Sequence, residues 1–234
     1  MTRRIIFAVA SLAALAVSVN SFAHDTEDEK GDHAATEKNH HNHASRDFDY
    51  KNFDKIRVTG VYEIDVKVGG AFSVAISGPE KELERTDIRV DGNALVLSQK
   101  NKRKGWRKNR HNQTVFATIT LPVLSAVDVS GVVDGTFYGI KADDFEFSVS
   151  GVGDIDFAGE CQSLTATISG VGDVDAKEFE CADVSVKISG VGDASVYASS
   201  SVDARISGMG DIDVFGAPKE VRKSGGLFSD ISIR

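Results

Sequence analysis

From Val127 to Asp213 apolar and polar residues alternate, and the alternation is interrupted at regular intervals by a Ser-Gly pair. The serines are Ser130, Ser150, Ser169, Ser189, Ser207 and Ser224, so the interval is 17 to 20 residues. A period of that length is the mark of a solenoid. Counted from each serine, position −1 is Val129, Val149, Ile168, Ile188 and Ile206, and the alternation continues outward at −3 and −5. It resumes at +5 with Ile155, Val174, Ala194 and Ile212 and at +7 with Phe157, Ala176, Val196 and Val214. Residues two apart share a strand face, so each repeat predicts two short strands facing one apolar interior.

Glycine follows every serine and recurs at +3 in Gly153, Gly172, Gly192 and Gly210. Two glycines around one apolar residue predict a bend at positive φ, which a Cβ would oppose. Like residues of successive repeats would then stack in columns about 4.8 Å apart. The predicted fold is all-β, a single-stranded parallel β-helix, right-handed by the usual hand of parallel crossovers.

The same template fits Ile56 and Val58 before Thr59-Gly60, followed by Val61 to Val66. A second coil is expected at Val74 and Ile76 before Ser77-Gly78. A hairpin insertion follows in the N-terminal half, Ile88 to Leu97, with Asp91-Gly92 in its turn, and residues 115–121 alternate as a further strand.

The N-terminus changes the compartment. Arg3 and Arg4 precede an apolar run from Ile5 to Val19, and Ser21-Phe22-Ala23 ends in small residues before His24. Residues 1–23 therefore read as an ordinary secretory signal cleaved between Ala23 and His24, too short to span a membrane. Loss of Arg3 and Arg4 takes the formal net charge from −8 to −10, against a nucleic-acid partner. Residues 24–47 hold no Ile, Leu, Val or Trp and many His and acidic residues, which predicts a disordered linker before a domain at 48–234. Export predicts a periplasmic, secreted or cell-surface protein that does not span the membrane.

F-D-K-I-R-V-T-G-V-Y-E-I-D-V, T-I-T-L-P-V-L-S-A-V-D-V-S-G and the reiterated S-G-V-G-D resemble the head GIN domain family, from about residue 48 to the end. The resemblance implies an exported, β-helical, adhesin-like protein. Solenoid repeats run through Asp213, which leaves no span for the closed barrel of an autotransporter anchor. Surface display is therefore expected to need another tether.

Several residue sets invite chemistry. Glu63, Asp134, Asp154, Asp173, Asp193 and Asp211 form a column at +4, and Asp65, Asp156, Asp175 and Asp213 a second at +6. Stacked carboxylates repel by roughly 1 kcal/mol per neighbour even at water-like screening. The favoured expectation is that they accept turn amides and face water, and calcium bridging is the competing one. Cys161 and Cys181 lie eight residues before successive Ser-Gly pairs, hence in adjacent coils, and an oxidising compartment predicts a disulfide. Lys102, Arg103, Lys104, Trp106, Arg107, Lys108 and Arg110 crowd one loop that could meet an anionic glycan or other envelope component, against the commoner reading of a solvated tip. His40, His41 and His43 could take zinc in the linker, against the commoner reading of a spacer.

Catalysis needs acids and bases gathered in one place, whereas these acids recur in every coil, and no nucleophile-base pair is visible. The sequence thus predicts a non-catalytic binding domain with no required cofactor. The alternative is an envelope scaffold that forms homo-oligomers through solenoid ends. A calcium- or zinc-binding protein and a polysaccharide-active enzyme rank below both.

Overall fold

The computed structural model describes residues 43–100 and 114–234. Strands in the N-terminal half are β1 (His43–Phe48), β2 (Lys55–Val58), β3 (Val61–Val68), β4 (Ser73–Pro79), β5 (Thr86–Asp91), β6 (Ala94–Gln99) and β7 (Val115–Leu121). The repeats supply β8 (Ala126–Val129), β9 (Val132–Val149), β10 (Val152–Ile168), β11 (Val171–Ile188), β12 (Ala194–Ile206), β13 (Gly210–Phe215), β14 (Glu220–Ser224) and β15 (Ser229–Ile233). One short helix, α1 (Glu80–Leu83), lies between β4 and β5.

The repeats form the parallel β-solenoid expected of them. Ile155 aligns with Val174, Leu164 with Val184 and Ile168 with Ile188 between β10 and β11, and β9 and β12 continue the register on either side. Every −1, +5 and +7 residue named above is buried. Five phenylalanines cluster in the tube: Phe145 meets Phe157 and Phe179 edge-on at 5.6 and 5.2 Å, while Phe137 stacks on Phe157 at 5.1 Å and Phe147 meets it edge-on at 4.7 Å. Burial of such rings is the main favourable contribution to folding.

The early template is also a coil, since β2 pairs with β8, and β3 with β9, both in parallel. The hairpin forms as β5 and β6, with Gly92 at φ 62° in its two-residue turn. Its second strand also joins the stack, because β6 runs parallel to β2.

Three expectations are corrected. Val74 and Ile76 are buried, but β4 is antiparallel to β7 and β1 rather than a parallel coil. The reason is chemical: Val132 and its equivalents donate their amide to the glycine carbonyl of the coil below (Val132 N to Gly60 O, 2.9 Å), and the residue after Ser77-Gly78 is Pro79, which has no amide to give. Second, the ordered domain begins before residue 48. His43 to Asp47 form most of β1 on the edge of β4, where backbone pairing replaces a hydrophobic run and Arg46 Nη1 donates to Leu83 O of α1 at 3.0 Å.

Third, the glycine after each repeat serine from Ser130 to Ser224 is not at positive φ. It is there because stacked backbones nearly touch. A Cβ on Gly151, Gly170 or Gly190 would lie 1.9–2.0 Å from the glycine carbonyl oxygen below it. Positive φ belongs instead to the +3 glycines Gly172, Gly192 and Gly210, at 134–149°.

Candidate binding face

The Ser-Gly corner decides which side chains leave the tube. Ser150 and Gly151 both donate to Val129 O, at 2.8 and 3.3 Å, and Ser169 and Gly170 both donate to Val149 O, at 2.8 and 3.2 Å. Two amides on one carbonyl is the hydrogen-bond pattern of a bulge, which bends the strand. After the bend, side chains alternate again, so +2, +4 and +6 point outward as +3, +5 and +7 point toward the interior.

The residue at +2 is apolar from Val61, after Thr59-Gly60, through Met209, after Ser207-Gly208. Val61, Val132, Val152 and Val171 stand in register through the β3–β9, β9–β10 and β10–β11 pairings. Bridges from Val171 to Val191 and from Val191 to Met209 extend the row, and Phe228 follows one residue before the Gly210–Ser229 pair. All seven are exposed: 43–52% for Val61 through Met209 and 76% for Phe228. This is a continuous apolar ridge, unlike the scattered exposed apolar residues of ordinary surfaces. Sequence reasoning took the valine as part of the bend and missed the ridge. The signal was available, since +2 is even and the buried positions beyond the corner, +5 and +7, are odd.

Beside the ridge stand the acids. The +4 column holds Glu63, Asp134, Asp154, Asp173, Asp193 and Asp211 and extends to Asp230 through its pairing with Asp211. Backbone amides offset part of the repulsion along it: Asp193 N donates to Asp173 Oδ1 at 2.9 Å, Asp211 N to Asp193 Oδ1 at 2.8 Å and Asp230 N to Asp211 Oδ1 at 2.9 Å. The +6 column holds Asp65, Asp156, Asp175 and Asp213. Lys177 pairs with Asp175, and Arg234 Nε reaches Asp213 Oδ1 at 2.9 Å. Asp156 lies in the middle of this field. Desolvation, then Asp175 and Asp154, hold its carboxyl above the ordinary aspartate value, against the opposite pull of Lys177.

The other candidate residues fall elsewhere. Cys161 and Cys181 are joined, with Cα atoms 4.5 Å apart. They line an open groove of about 830 Å³ together with Glu160, Glu180 and Tyr197. There Lys141 Nζ meets Glu160 Oε1 at 2.8 Å, and the hydrogen bond holds the Glu160 carboxyl below its usual range. Lys102, Arg103, Lys104, Trp106, Arg107, Lys108 and Arg110 lie outside the described residues, as do Ala23, His24, His40 and His41. His43 is on β1, away from the acid columns. Among the described residues no group of three or more His, Cys, Asp or Glu side chains is gathered so as to hold a metal ion. No described helix is long and apolar enough to cross a membrane.

Comparison with known proteins agrees with this architecture. No curated protein matches the chain. Among solved structures, a "putative adhesin" from Bacteroides fragilis is similar, at 26% identity and a TM-score of 0.69, over 82% of this chain and 97% of that one. One of the same description from Parabacteroides distasonis has 16% identity and a TM-score of 0.49, over 82% and 97%. Another, from Parabacteroides merdae, has 15% identity and a TM-score of 0.47, over 81% and 95%. The family model described as "Putative auto-transporter adhesin, head GIN domain" matches residues 52–218, most of the described solenoid, and the chain belongs to that head GIN domain family.

Proposed function

We propose that this chain is an exported, non-catalytic binding domain of adhesin type, and that the outward face of valine and aspartate columns is its recognition surface. The observation that carries the reading is the ridge: seven exposed apolar residues, of which Val61, Val132, Val152 and Val171 lie on paired parallel strands and Val191 and Met209 continue the row through single bridges. Burying apolar side chains is favourable by roughly 25 cal/mol per Å², so a whole column left in water holds stabilisation that a partner covering it would supply. A rigid ladder also loses little entropy when a partner settles on it. The family and the similar Bacteroides fragilis adhesin support a binding role at the cell envelope or beyond it.

The test uses the triple variant V152T/V171T/V191T, which keeps β-branched shape and strand preference but makes the ridge polar. Wild-type protein is expected to be retained on a native envelope fraction and the variant to wash off, at equal melting temperature. Equal retention of both proteins would show that the ridge is not the surface used.

A further inference from the structure

The face carries two parallel stripes of opposite character, and an occupant has to present the inverse of both. Rungs repeat about every 4.8 Å along the solenoid axis, while the ridge and the first acid column, two residues apart on one strand, are separated by about 6.7 Å. We propose that this face takes a cationic amphipathic helix of a partner protein, laid along the solenoid axis with its apolar stripe on the valine ridge and its lysines and arginines over the aspartates. This inference rests on the reading of the face as a recognition surface.

Geometry favours a helix over an extended segment. A strand running along the axis turns only alternate side chains toward the face, in a single row. A helix presents an apolar stripe with a charged stripe beside it, and its pitch of about 5.4 Å is close to the rung spacing. The seven rungs from Val61 to Phe228 extend about 29 Å, the length of a helix of about 19 residues. Long basic side chains can lay their stems on apolar rungs while the heads reach carboxylates.

Charge selects the sign. Of the carboxylates in the two columns, only Asp175 and Asp213 have a lysine or arginine partner among the described residues. Asp156, whose carboxyl is pushed upward first by desolvation and then by Asp175 and Asp154, lies among negative charges that bound cations would relieve. A second copy meeting this face with its own would set aspartate columns against each other. An anionic lipid or polysaccharide surface would be repelled in the same way.

The experiment is fluorescence anisotropy of the full chain with a synthetic helix of about 20 residues carrying a leucine stripe flanked by lysines. Two controls accompany it: the same peptide with glutamate for lysine, and a shuffled peptide of identical composition whose stripes are scattered. The lysine helix is expected to bind at least about tenfold tighter than either control and to weaken with added salt. V152T/V171T/V191T and D134N/D154N/D173N should each lose about tenfold in affinity with an unchanged circular dichroism spectrum and no loss of melting temperature. No binding, equal binding of the shuffled peptide, binding of the glutamate peptide, or indifference to both variants would overturn the proposal. The envelope assay separates the two readings. If the lysine helix fails while V152T/V171T/V191T still washes off envelopes, the face binds something else; if the helix binds while wild type is not retained, the helix site stands and the adhesin reading falls.

Discussion

At the residue scale the glycine columns show how little room the stack leaves. Gly170→Ala would place a Cβ 2.0 Å from Gly151 O, a backbone atom in a hydrogen-bonded ladder that cannot yield. We expect a loss of about 1–3 kcal/mol in denaturant unfolding, whereas Gly69→Ala, with open space around its Cβ but φ at 98°, should cost only about 1 kcal/mol. Asp156 gives a prediction in pH. Its folded carboxyl binds a proton more tightly than it would in the unfolded chain, so its contribution is favourable below the ordinary aspartate value and is lost as pH rises through the raised one. Asp156→Asn should therefore raise the melting temperature slightly at neutral pH, and the gain should vanish in acid; an unchanged difference across that window would refute the assignment.

At the scale of elements the disulfide fastens β10 to β11 across a sequence separation of 20 residues. Cross-linking a loop of that size restricts the unfolded chain by about 3 kcal/mol, so Cys161→Ser/Cys181→Ser should lower unfolding free energy by up to that amount without changing the circular dichroism spectrum. The pair was legible in the sequence for the same reason as the coils: one period carries Cys161 onto Cys181, as it carries Ile168 onto Ile188. The hairpin was legible too, because Asp91-Gly92 names a tight turn. Where the period fails, reading failed with it. The strand β4 looks like a coil in its apolar residues, and only the missing amide of Pro79 tells it apart. The strand β1 has no hydrophobic run at all and is held by the edge it covers. The exposed valines were hidden for a different reason: the apolar residue between two glycines reads as part of the bend and was given no face. Alternation across the bulge assigns that face, and parity alone would have revealed the exposed ridge.

At the scale of the whole molecule the face and the core are products of the same register. Any change that slips one coil by a residue would move valines inward and core residues outward together, so binding and stability should fail jointly in bulge mutants but separately in V152T/V171T/V191T. That contrast can be read by comparing peptide affinity with melting temperature across the two kinds of variant. The column of glycines beneath the ridge has one more consequence. Because each coil meets its neighbours through the same close backbone contact, a coil duplicated or deleted in the gene would splice into the stack without new chemistry. It would lengthen or shorten the recognition strip by a single step of about 4.8 Å. Reach along a ligand would then be a quantity that descent can adjust in fixed increments while the composition of every step stays the same.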